Sequence, residues 1–71
     1  MNIRGYKAEV QPLKADLGRG FVAFAPELLG CISDGESAAI ALLNLEDAIE
    51  IWLDAARKKR RPIPQPMMAD A

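Results

Sequence analysis

Apolar and polar positions alternate through Tyr6-Lys7-Ala8-Glu9-Val10-Gln11. A period of two predicts a half-buried strand with Tyr6, Ala8 and Val10 facing inward. Pro12 has no N–H to give a ladder, so it ends the pairing or sets this strand at an edge. Residues 14–20 hold two glycines among charged residues and read as a hairpin connection. The apolar run Phe21-Val22-Ala23-Phe24-Ala25 predicts a central strand, covered on both faces or at least well packed. Pro26 to Gly30 interrupts it. Cys31-Ile32-Ser33 reads as a third short strand, and Asp34-Gly35-Glu36 as the turn that follows.

From residue 38 the period changes from two to 3.6. Ser37 is a good N-cap, because its hydroxyl can accept a free N–H of the first helical turn. Neither Gly nor Pro intervenes before Pro62, so one helix is expected from residue 38 to about Arg60, roughly 33 Å long. Ala38, Ala41, Leu42, Leu45, Ala48, Ile49, Trp52, Leu53 and Ala56 fall on one wide arc, and Glu46, Asp47, Glu50 and Asp54 fall mainly outside it. An amphipathic helix lying on a sheet follows. Ile40, Leu43 and Ile51 miss the arc and point to a protein–protein contact, with Ile63 of the tail as a further candidate. After Arg61, prolines at 62, 64 and 66 force extended backbone, suited to a sheet edge or a neighbouring subunit. Residues 67–71 are expected to fray. The fold class is therefore α+β: a three-stranded antiparallel sheet packed by one long helix, in a single domain over residues 1–66.

Composition narrows what such a domain can do. At 71 residues it supports one small core, and a core that size commonly needs help from a partner or a second copy. With no His, the Ser–His and Cys–His nucleophile pairs are absent, and so is the favoured metal ligand. An enzyme, a cofactor and a metal are not expected. The single Cys cannot form an internal disulfide. No apolar run is long enough to span a membrane, and the amino terminus lacks the apolar core of a signal peptide, which fits the cytoplasm.

The net charge of −1 conceals a segregated layout. Residues 21–56 carry seven acids and no Lys or Arg, and residues 57–61 are Arg-Lys-Lys-Arg-Arg. The basic run suits a helix C-terminus, where cations complement the backbone dipole. Non-specific nucleic-acid binding through these five cations is an alternative reading, opposed by the acidic middle. Cys31 has no basic neighbour in sequence to activate it and reads as a small buried hydrophobe, its thiol pKa raised by Asp34 and Glu27. Trp52 reads as core. Gly30 and Gly35 read as positions that need unusual backbone angles.

The parts occur in a recognisable order: Pro26-Glu27-Leu28, Gly30-Cys31, Asp34-Gly35-Glu36-Ser37, Ala41-Leu42, Ala48-Ile49-Glu50-Ile51-Trp52-Leu53 and Pro62-Ile63-Pro64-Gln65-Pro66. This set, over about residues 6–66, resembles the HicB-type antitoxin domain of type II toxin–antitoxin systems. On that resemblance Pro26, Gly30, Cys31, Gly35, Ser37, Trp52 and Pro64 are structural motif residues. The chain departs from the family at Leu29, where Pro is usual, at Ala39 and Ile40, where acids are usual, and at Ser37, where Thr is usual. The resemblance implies a partial RNase H-like fold with a short C-terminal strand. It also implies a HicA-like partner, a small mRNA-cleaving toxin that the antitoxin occludes. A DNA-binding segment beyond residue 66 is not expected.

Three function classes follow. The first is a toxin-neutralising binding module, with Glu46, Asp47, Glu50 and Asp54 as the toxin contact. The second is a solitary homo-oligomer, dimer or tetramer, with a structural or regulatory role and with Ile40, Leu43, Ile51 and Ile63 as the oligomer contact. The third is the nucleic-acid reading above.

Overall fold

The computed structural model describes residues 1–14 and 19–66. In chain order the elements are β1 (Asn2–Ile3), β2 (Tyr6–Lys7), β3 (Glu9–Pro12), β4 (Phe21–Phe24), β5 (Ile32–Gly35) and α1 (Ala38–Lys58). β3, β4 and β5 form one antiparallel sheet in that order, with α1 packed on it. Fold class α+β, with three antiparallel strands and one long helix, is what this chain adopts.

α1 follows from its sequence. Ser37 has extended backbone (φ −133°, ψ 165°), and its Oγ accepts the Ile40 N–H at 3.1 Å. Ala41, Leu45, Ile49, Leu53 and Ala56 repeat at helical spacing, and all are buried. Ala41, Leu45, Ile49 and Leu53 meet Tyr6, Ala8, Ala23, Ala25, Leu28 and Cys31 in one core. The helix closes in a Schellman arrangement. Arg61 N–H donates to the Ala56 carbonyl at 2.8 Å, Arg60 N–H donates to that of Arg57 at 3.1 Å, and Arg60 takes a left-handed φ of 55°.

Four details depart from the sequence reading. The alternating segment is not one strand: Tyr6–Lys7 pairs with Asn2–Ile3 in a separate hairpin, and only Glu9–Pro12 joins the sheet. The hairpin turn needs positive φ at both central residues, as Arg4 (56°) and Gly5 (86°) have. Arg-Gly is a weaker signal for that turn than Asn-Gly. Second, the third strand starts after Cys31 and runs through Asp34 and Gly35, which pair with Val22 and Phe21 instead of forming a turn. Third, β4 is covered on one face only. Ala23 is fully buried and Phe21 packs on the core, but Val22 and Phe24 are half-buried and share the far face with the 60% exposed Ile32. One helix is enough to cover one side of a sheet.

Fourth, residues 61–66 form no strand. Beyond Arg61, whose N–H closes the helix, they are anchored by the Tyr6 hydroxyl, which donates to the Pro64 carbonyl at 2.7 Å. Proline at alternate positions removes the donors that a ladder requires. The predicted connection over 14–20 joins antiparallel neighbours, and Leu13 N–H donates to the Gly20 carbonyl at 3.0 Å. Its residues 15–18, and the tail 67–71, lie outside the described residues.

Candidate functional site: an acidic helix face and a motif-built clasp

Two regions gather the residues singled out by sequence. The first is a clasp at the C-terminal end of α1. After β4 the chain makes a tight loop in which Leu28 N–H donates to Ala25 O at 3.0 Å and Cys31 N–H to Leu28 O at 2.9 Å. Gly30 sits in it at φ +79°. The loop presents the Leu29 carbonyl to the indole N–H of Trp52 at 2.8 Å. Glu27 Oε1 accepts the Lys7 N–H at 2.6 Å, while its Oε2 is buried without a hydrogen-bond partner. Glu27, Leu29, Trp52, Arg61, Pro62 and Pro64 line an open groove of about 310 Å³. The motif residues Pro26, Gly30, Trp52 and Pro64, scattered in sequence, thus belong to one connected region whose bonds bind loop, helix and C-terminal segment together.

Gly35 serves differently from the reading above. Its backbone angle is ordinary, and what it provides is space: a Cβ there would lie 2.5 Å from Ala41 N and 2.7 Å from Ile40 Cγ2. The absent side chain lets α1 press onto the end of β5. Cys31 is buried, and burial pushes its thiol above the ordinary value of 9.0. Desolvation of the thiolate, not the nearby acids, is the cause.

The second region is the outer face of α1. Glu46, Asp47, Glu50 and Asp54 are all exposed. Asp47, Glu50 and Asp54 line a shallow depression of about 480 Å³ with Arg4, Ile51 and Arg57. Glu46 stands outside it. Two of these acids are already paired: Arg4 reaches Glu50 from the β1–β2 turn at 3.3 Å, and Lys58 meets Asp54 at 3.3 Å. Exposed pairs of this kind contribute at most about 1 kcal/mol each. Glu46, Asp47 and Arg57 enter no ion pair among the described residues. The hairpin cation Arg4 had no signal in sequence, because it is brought to Glu50 only by folding.

The candidate oligomer contacts do not form one patch. Ile51 is 69% exposed and lines the acidic depression, whereas Ile40 lines another with Leu13, Asp34 and Asn44. Leu43 is 64% exposed on the helix between them, and Ile63 lies beyond the helix beside the anchored Pro64. Among the described residues, no group of three or more His, Cys, Asp or Glu converges as metal ligands. Among the described residues, no helix is long and apolar enough to cross a membrane.

A UPF0150 protein of Synechocystis sp. is 34% identical over 53 residues, covering 75% of this chain and 67% of the relative. The chain belongs to the UPF0150 family. A second UPF0150 protein, from Helicobacter pylori, is 50% identical over 34 residues, covering 48% of this chain and 47% of that relative. No family model matches the chain, and no solved structure matches it.

Proposed function

We propose that this UPF0150 protein is a binding module of the HicB antitoxin type, which neutralises a small basic mRNA-cleaving toxin by covering it. The observation that carries the reading is the outer face of α1. It offers four exposed carboxylates on a rigid 21-residue helix, and the residues bearing them take no part in the core. A ribonuclease must present cations to hold its phosphate substrate, so an acidic rigid face complements it and speeds encounter. The ordered motifs shared with HicB-type domains support the same reading.

The test is a calorimetric titration against the product of any short basic reading frame adjoining this gene, with RNA cleavage followed in parallel. Binding at micromolar concentration or tighter, suppression of cleavage, and weakening by Glu46→Lys and Asp47→Lys are expected. Absence of binding at micromolar concentration refutes it. So does retention of single-stranded RNA by the 57–61 run at low salt with no protein captured.

A further inference from the structure

Leu43, Asp47, Glu50, Asp54 and Arg57 follow one another on α1 in alternating steps of four and three, so they form one continuous seam. The seam is polarised. Near its start, Asp47 has no cationic partner, and at its end, Arg57 has no acidic one, among the described residues. Between them, Glu50 and Asp54 are each neutralised within the chain, by Arg4 and Lys58. Ile51, 69% exposed, flanks this neutralised centre.

We infer that this seam is a self-complementary surface, on which a second copy of the chain packs with its α1 antiparallel. A two-fold axis at the height of residue 52 sets Asp47 against Arg57 of the partner subunit, and Arg57 against the partner subunit's Asp47. The same axis sets Glu50 across from Asp54 of the partner subunit, where like charges would oppose the pairing. Those are the two carboxylates that Arg4 and Lys58 already neutralise, so the arrangement tolerates them. Ile51 of each copy lies beside the axis and is removed from water. A parallel pairing fails on the same charges, because it places Asp47 on Asp47 and Arg57 on Arg57.

The contact is isologous, so it closes at a dimer. It stands whether or not a toxin exists. When made, it covers Asp47 and Glu50, so any partner recognised by the acidic face competes with the second copy.

Sedimentation velocity on the full chain, at about 0.05 M and 0.5 M salt, tests it. A dimer is expected at low salt, weakened at high salt. Asp47→Arg should raise the dissociation constant about tenfold or more, since an opposed charge pair is lost twice per dimer, and Ile51→Glu should do the same, since it buries an unpaired charge beside the axis. The double substitution Asp47→Arg with Arg57→Asp restores opposite charges across the axis and should recover the dimer, which no merely structural effect of the single change would do. A monomer at both salts overturns the inference. So does a dimer that Asp47→Arg leaves unchanged, or a double variant no better than Asp47→Arg alone.

Discussion

Gly35→Ala isolates the packing of α1 on β5. The added methyl would meet Ala41 N at 2.5 Å, Ile40 Cγ2 at 2.7 Å and Ile40 C at 2.8 Å, all well inside ordinary contact. Two of these atoms are helix backbone and cannot rotate away as a side chain could. α1 must therefore move off the strand, which loosens Ala41 and Leu45, both fully buried. Overpacking of this kind costs about 1–3 kcal/mol, and the backbone contacts place it near 3. A chain of 71 residues has about 4–11 kcal/mol of stability in all, at the usual value per residue. The loss would lower the melting midpoint by about 12–24 °C. Gly30→Ala is the control. Nothing lies within 4 Å of its Cβ position, so only the strain of φ +79° is felt, about 1 kcal/mol. Urea unfolding of both variants, with the slope unchanged, reads the difference directly. If Gly35→Ala loses no more stability than Gly30→Ala, steric contact with α1 is not what this position requires.

Three further outcomes are expected. Arg60→Gly should stabilise the chain by about 0.5–1 kcal/mol in urea unfolding, because Arg60 sits at φ 55° in the position where helices commonly end in glycine. Tyr6→Phe should cost about 0.5–1.5 kcal/mol in urea unfolding, since it removes the bond that ties the C-terminal segment to Tyr6 at Pro64; unchanged stability would mean the segment is held otherwise. Burial raises the Cys31 thiol, so the folded state resists ionising it; that contribution is complete below the ordinary value of 9.0 and is lost as pH rises past it toward the folded value. Unfolding followed by urea should show wild type losing stability above pH 9.0 faster than Cys31→Ala, and equal slopes would count against the burial effect.

Much of this fold is legible in the chain because its signals are local. The period of 3.6 from Ala38, the Ser37 cap and the cations at Arg57 and Lys58 each act within a few residues, and α1 forms where they place it. The core stripe of α1 and the central place of β4 follow from the same local patterning. What tertiary structure decided lies between residues far apart in sequence. Asn2–Ile3 became a strand because Arg4 and Gly5 accept left-handed angles, and the turn then delivers Arg4 to Glu50, 46 residues away. The C-terminal prolines found no sheet edge and are held by Tyr6, 58 residues away. Gly35 is needed for room, which no pattern of polarity records. The sequence alone determined that the outer face of α1 is acidic and ends in cations. Folding decided which of those charges are spent within the chain and which are left to meet another, because an ion pair depends on distance in space and not on separation along the chain.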